Sequence, residues 1–533
     1  MSTRLVIPFL IAAASVGIGS LVLPTQPRDH SLRHAEHFTS SEQCAVCHTP
    51  APAATAMRSE IGDDISPYGL WQGTMMANAF RDPYFRAQLR KETVASGEAV
   101  QELCLRCHTP MLHHEARLNG AELPRLADVE GDPFADDGVS CTVCHMIDSK
   151  DLGEESTFSG RPNFTSERRI FGPFADPATR PMQNLVRYTP THAEHVRSAA
   201  MCGSCHTLHT EHNGTAFPEQ TPYLEWRNSE FSDEEGRTEK SQTCQECHMP
   251  DLGASRLARN PMGFDFNIAV REGYRGHSIV GGNAFMLEIL NDNREELDVI
   301  AEPEALQRMA TAARKQLAER TAQLTVSDIE RADGVAKFSI TVENLTGHKF
   351  PTAYPSRRAW LYVIVSSGRR VVFESGAFDE DGRLVDVDDP LRIPHVQTVK
   401  KPADVVVYEM VATDPEGKPT TFLTKMVSRA KDTRLLPRGW NVAGPHVRDT
   451  HAVGTKGDAD FVGGGDTVHF EIPLPDDARG GLRVTARLMY QPIPPVWVDA
   501  LRTIDAEETN RFVRYYDEAD KTPATVALDI KVE

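Results

Sequence analysis

No cysteine in this 533-residue chain stands alone, and none occurs after residue 248. All ten fall into five pairs with two residues between them: Cys44/Cys47, Cys104/Cys107, Cys141/Cys144, Cys202/Cys205 and Cys244/Cys247. No thiol is left over for an unpaired or intermolecular role. Basic charge is in deficit as well. The 57 Lys and Arg against 76 Asp and Glu give a formal net charge of -19, which argues against a polyanion-binding surface and against nucleic acid as a partner. Beyond residue 23 no apolar run is long enough to span a bilayer. With 40% hydrophobic and 25% charged residues the composition is that of a globular protein, and the length suits two or three domains.

What is present is histidine. Each cysteine pair is followed at once by one, His48, His108, His145, His206 and His248, which makes five C-x-x-C-H motifs. That spacing reads as attachment of c-type haem. Two thiols about one helical turn apart reach the two vinyl groups of one porphyrin, and the next residue offers an imidazole to the iron. Disulfides or zinc would explain paired cysteines, but neither requires histidine directly after the second one. With 20 histidines in 533 residues, five successes in five arise by chance on the order of once in ten million. The expected cofactors are therefore five covalently attached haems.

Covalent haem attachment implies an extracytoplasmic location, and the N-terminus suits export. Arg4 precedes an uncharged apolar run, 5–23, that ends at Pro24. The run is long for a signal sequence and nearly long enough to span, so residues 1–30 read equally as a cleaved signal peptide or an N-terminal membrane anchor through residues 4–23. The expectation is a periplasmic protein, secreted or anchored.

The fold class expected is α+β: a multihaem domain of short helices and loops over 31–295, a connecting helix over 296–324, and an antiparallel β-sandwich over 325–533. Around the motifs long periodicity is scarce, as befits a domain whose core is partly porphyrin. The stretches Pro124–Asp137 and Gly160–Pro181 read as loops. Leu306, Met309, Ala310, Ala313 and Leu317 recur on one helical face. Beyond Leu324 the period becomes two, predicting strands at 335–342, 359–365, 371–374, 405–410, 467–472, 482–489 and 526–532, with one helix near Trp497–Asp517.

A second axial ligand on each iron favours electron transfer, whereas an open position permits chemistry at the metal. His277, in a glycine-rich segment, and His348, in a loop at the tip of the β half, are candidates. His192 and His195, and His209 and His212, flank the fourth motif at i, i+3 spacing, with His195 favoured. His113 or His114 would serve a neighbouring haem, and His34 and His37 are spares. Met75 and Met76 stand beside aromatics, where methionine is commonly core filler. Asp458, Asp460 and Asp466 have oxygen-ligand character for calcium, although an acidic glycine-rich turn is the simpler reading. Asp379–Gly382 reads as a hairpin turn.

The five motifs, the Trp71–Ala77 segment and Trp226–Phe231 resemble the family of multihaem c-type cytochromes that includes the tetrahaem electron carrier of the hydroxylamine-oxidation pathway. In that family a Trp-x-x-Ser-x-His-Ala segment supplies a distal histidine. Here Met76 stands at that position, which implies a thioether ligand, while Phe231 in the second copy implies none. The C-terminal half is similar to a β domain appended to exported multihaem cytochromes, through Gly347–Thr352, Arg358–Trp360, Lys431–Pro437 and Gly457–Phe461.

The expected function is an electron relay between redox partners outside the cytoplasmic membrane, with Met76, His113 (or His114), His195, His277 and His348 as distal ligands. The alternative is an oxidoreductase with one open haem acting on a small nitrogen or sulfur oxyanion. No C-x-x-C-K motif marks a catalytic haem. Five ferric haems, each adding about one net negative charge through its propionates, would take the chain from -19 to about -24, with Arg168, Arg169, Arg357 and Arg358 available to pair them. Such acidity points to a redox partner with a basic docking patch.

Overall fold

The haem-bearing half is built from helices of one to four turns, and its apolar side chains form small separate clusters. One gathers Phe38, Met111, Phe134 and Tyr188, another Phe80, Leu89 and Leu105, a third Phe158, Tyr223 and Trp226. The structure, a computed structural model, describes residues 35–533 except Asn213 and Arg479. The signal or anchor expected at 1–30 and the spare ligand His34 lie outside the described residues, as does the side chain of His212. Two stretches expected as loops carry some regular structure. Pro124–Asp137 holds single-turn helices at Leu126–Val129 and Pro133–Asp136, the second started by Asp132 accepting the Phe134 N–H at 2.8 Å. Gly160–Pro181 includes the strand Arg169–Gly172, paired in parallel with Thr189–His192.

The connecting helix runs over Pro303–Arg320 and buries Leu306, Met309, Ala310, Ala313 and Leu317, the face that the sequence periodicity marks. It starts later and ends earlier than the expected 296–324. Ala322–Val326 already forms a strand, its buried residues alternating with exposed ones.

The strands expected beyond residue 324 are present except that at 405–410, which is split into Val407–Tyr408 and Met410–Thr413, the latter pairing with Ser428–Asp432 in a separate sheet. One five-stranded sheet has the order Thr398–Val399, Gly465–Pro473, Val335–Asn344, Ala322–Val326, with Glu330–Ala332 also pairing Val335–Asn344. The other has the order Val407–Tyr408, Arg358–Ser367, Leu482–Gln491, Ala524–Val532, with Arg370–Ser375 also on Arg358–Ser367. Alternate residues point inward. Phe338, Ile340, Val468 and Phe470 from the first sheet share one core with Val363, Val365, Val484 and Ala486 from the second. The pairing is antiparallel with one departure: Thr398–Val399 runs parallel to Gly465–Pro473. At the expected hairpin turn the Gly382 N–H donates to the Asp379 carbonyl at 3.0 Å, and Gly382 has φ 75°.

The single helix expected near Trp497–Asp517 is two, Pro495–Arg502 and Glu507–Glu518. Thr509 Oγ1 accepts the Ala506 N–H at 3.2 Å and donates to the Ile504 carbonyl at 2.6 Å, closing the turn between them. Both helices reach back to Pro83–Ser96 of the haem half. Tyr84 packs on Phe512 with ring centres 5.1 Å apart, and Arg90 pairs with Glu508 at 2.6 Å. On the same helix Lys91 Nζ donates to the Thr421 carbonyl at 2.8 Å, and Glu92 accepts the Leu423 N–H at 2.9 Å. Described residues 35–533 accordingly fall in one compact unit. Among them no helix is long and apolar enough to cross a membrane.

Candidate haem site

Each attachment motif sits on or against a short helix. Val100–His108, Cys141–His145 and Cys244–His248 contain theirs whole. In the first and fourth motifs the His48 N–H donates to the Cys44 carbonyl and the His206 N–H to the Cys202 carbonyl, each at 2.9 Å. One helical turn thus brings both cysteines and the histidine of a motif to the same side.

All ten cysteines and all five motif histidines line one cavity of about 1930 Å³. A site for a single drug-sized ligand takes roughly 300–1,000 Å³, so the space suits several large apolar groups. The cysteines are free of disulfides. The donor set fits c-type haem in a further respect. Four motif histidines use Nδ1 to donate to a backbone carbonyl: His48 to Leu257 at 2.7 Å, His108 to Ala79 at 2.8 Å, His145 to Phe171 at 2.7 Å and His248 to Val280 at 2.5 Å. Such a bond fixes the tautomer and the ring orientation and leaves Nε2 for a metal. Burial holds His108 and His206 down to about 4 and lowers His48, His145 and His248 as well, so the imidazoles remain neutral, as a ligand must be. Bound there, each haem would be held by two thioethers and one of these imidazoles and would supply a one-electron couple.

Of the distal candidates, His277, His348 and Met76 line the cavity, and so does Met75. His277 faces His145 with ring centres 6.1 Å apart and planes at 22°. His348 faces His248 at 6.3 Å and 16°. Two imidazoles on one metal, with metal–nitrogen distances of about 2.0–2.1 Å and about 1.1 Å more to each ring centre, would stand about 6.3 Å apart. Both candidates also repeat the proximal pattern, His277 Nδ1 donating to the Arg275 carbonyl at 3.1 Å and His348 Nδ1 to the Lys349 carbonyl at 2.8 Å.

His113 and His195 are not among the cavity-lining residues. His113 is buried with Nε2 on Glu102 Oε1 at 3.0 Å, in a group that includes Arg106. His195 donates Nε2 to the Ile147 carbonyl at 2.8 Å and packs its ring edge-on to Phe171. In both, the nitrogen that would meet iron in the usual way is occupied by protein. His114 packs between His113 and Phe164, His37 contacts Glu115, His192 contacts Glu194, and His209 contacts Asp449. The aspartates considered for calcium are engaged elsewhere. Asp458 and Asp460 bind His395 and His469 at 2.7 and 2.8 Å, and Asp466 takes the Tyr408 hydroxyl at 2.9 Å.

Thiols of different motifs meet in pairs: Cys141 with Cys44, Cys107 with Cys205, and Cys202 with Cys244. Of the four arginines considered for propionates only Arg357 lines the cavity. Arg168 serves backbone carbonyls at Glu36 and Val186 and covers the Tyr188 ring, Arg169 pairs with Glu167, and Arg358 is buried on Gln491 and the Gly382 carbonyl. Arg237, Arg271, Arg275, Arg320 and Arg438 line the cavity instead.

Residues 65–146, from just before the Trp71 segment through the third motif, match the family model described as cytochrome c554 and c-prime. The fold is similar to that of a penta-heme cytochrome c552 from Thermochromatium tepidum, with a TM-score of 0.54 and 18% sequence identity over 94% of this chain and 100% of that one. These matches support a multihaem c-type cytochrome. A search of curated proteins gave no match. In this chain the sequence signal for the carbonyls of Ala79, Phe171, Leu257 and Val280 was nil, because a backbone group has no residue signature. The cavity arginines sit outside the attachment motifs and carried no spacing signal either.

Proposed function

We propose that this protein is a multihaem c-type cytochrome and an exported electron carrier, in which five haems form one relay between redox partners. The observation that carries the reading is the single cavity touched by all five attachment motifs, which would hold the haems as one contiguous array. In this reading His145 and His277 ligate the third haem and His248 and His348 the fifth, while Met76 supplies a thioether to one of the others, raising its potential above that of its bis-His neighbours. Electrons pass along the thiol contacts, first haem to third and fourth to fifth, with the second haem joined at the fourth. The third and fourth motifs are linked by the closeness of Cys144 to Cys202 and Cys205. Kinship with the hydroxylamine-pathway carriers and export through residues 1–30 belong to the same proposal.

The net charge of -19, made more negative by propionates, steers the protein towards a partner with a basic patch, so association slows as salt rises. Coulometric titration of the purified holoprotein tests the relay. Five electrons per chain, all delivered to one soluble acceptor in a single connected oxidation, are expected. A haem that neither fills nor empties with the rest would overturn a single array. His277, His348 and Met76 serve three of the five haems, so cyanide uptake does not separate the two readings; reduction of a small nitrogen or sulfur oxyanion by the reduced holoprotein would favour the open-haem oxidoreductase instead.

A further inference from the structure

His348 comes from the β half, yet the loop that carries it is clamped by a carboxylate of the haem half. Glu225, on the helix Pro222–Arg227 between the fourth and fifth motifs, is fully buried. Its Oε2 accepts the Lys349 N–H at 3.0 Å and the Thr352 Oγ1 hydrogen at 2.6 Å, so one oxygen holds both ends of the turn that follows His348. Its Oε1 accepts from Thr221 Oγ1 at 3.0 Å and lies 3.7 Å from the Arg434 guanidinium. From the other side Asn344 Nδ2 donates to the His348 carbonyl at 2.8 Å. The peptide group that follows the His348 Cα is thereby held through both its carbonyl and its N–H.

The charges behind the loop form one buried group. Lys349 Nζ meets Asp432 at 2.7 Å, and Asp432 also takes Arg434 at 2.8 Å and Arg429 at 3.1 Å. Lys349 and Asp432 have no exposed surface. Burying this many charges is costly, and such a group is tolerated only when its members are paired and hydrogen-bonded. It lies directly behind the single loop that places a β-half imidazole in the haem cavity. Gly347 explains how near that loop comes to the haem half: a Cβ there would stand 3.1 Å from Trp226 and 3.4 Å from Phe231.

We propose that Glu225 is the positioning residue for His348, fixing the loop so that the imidazole stands opposite His248. The proposal rests on the reading of His348 as a distal ligand, and two variants separate the two claims. Electron paramagnetic resonance is recorded on the oxidised full-length holoprotein. His348→Ala is expected to turn one haem of the five high-spin. Glu225→Ala is expected to move the low-spin g values of that same haem and to give it a high-spin fraction, with the other four unchanged. Glu225→Gln, which keeps an acceptor for the Lys349 N–H, gives a smaller shift, and Thr352→Val a smaller one again.

A wild-type spectrum in His348→Ala removes the ligand and the proposal with it. A high-spin haem in His348→Ala together with wild-type g values in Glu225→Ala leaves the ligand standing and overturns the positioning role. Should Glu225→Ala fail to assemble, wild-type g values in both Glu225→Gln and Thr352→Val overturn it equally. A role confined to stability would lower the denaturation midpoint of these variants without moving the g values.

Discussion

His277→Ala offers the most direct check on how the cavity histidines are used. The substitution removes an imidazole whose ring stands 6.1 Å from that of His145, a separation that leaves room for one metal between them and for nothing larger along that line. Alanine cannot span the gap, and His113 and His195 lie outside the cavity lining. One haem should therefore lose its second ligand, so the high-spin share of the ferric haem rises by about 20% over wild type and one further equivalent of cyanide is bound per chain. His277 and His348 face different partners. The double variant should accordingly raise the share by about 40% and the uptake by two equivalents over wild type, because independent sites add. Optical and magnetic circular dichroism spectra of the oxidised holoprotein, titrated with cyanide, read both numbers. An unchanged spin state in His277→Ala would refute the pairing. A double variant that matches either single one would refute the independence of the two pairs.

Asp432→Asn keeps the side-chain shape but leaves Lys349, Arg429 and Arg434 without their shared counter-ion, and should cost about 3–5 kcal/mol in chemical denaturation of the full chain. The pH dependence of single groups has a definite sign. Burial raises Asp82 to about 6 and Asp137 and Glu219 to about 7, so at these three carboxyls the folded state binds more protons than the unfolded one. Their contribution is fully present below the ordinary carboxylate range near 4 and is lost as pH rises through 7, whereas the motif histidines that burial keeps neutral act in the opposite sense through the imidazole range. The stability of wild type relative to Glu219→Gln should therefore fall between pH 4.5 and 7.5, and a difference that stays constant or grows over this window contradicts the assignment. A thioether from Met76 should give wild-type protein a near-infrared charge-transfer band that disappears in Met76→Leu. Absence of that band from the wild type rejects Met76 as a ligand.

The sequence made strands such as 335–342 and 467–472 legible because each has one buried face, and alternation is the direct trace of that burial. It made the helix face of Leu306 to Leu317 legible for the same reason. Thr398–Val399 was not, since two residues have no period, and its parallel pairing depends on a strand some seventy positions away. The break between the helices Pro495–Arg502 and Glu507–Glu518 turns on one hydroxyl, that of Thr509. At the site, covalent chemistry dictates a rigid spacing, so the cysteines and motif histidines could be read directly. His277 was visible through the glycines beside it, and His348 through its loop position after a strand. Whether a histidine has its Nε2 free is a long-range matter. His113 loses it to a glutamate eleven positions away and His195 to a carbonyl of residue 147, and neither event leaves a mark in the local sequence.

The cavity has a consequence for how the protein is made. Kept dry, an interior of about 1930 Å³, at about 24 cal/mol for each Å³, would destabilise the fold by at most roughly 46 kcal/mol. Even a third of that ceiling matches the whole stability of an ordinary domain, about 5–15 kcal/mol. In the proposed reading the chain without porphyrin is therefore strongly destabilised in this shape. Five haems bound as proposed would be structural members, added while the polypeptide is still open, and the five attachments, two thioethers each, would amount to assembly of the protein's own interior. Biogenesis then carries its own proofreading. A molecule that misses one attachment keeps a defect that its stability cannot absorb, and it is exposed to proteolysis before it can enter the electron-carrying pool.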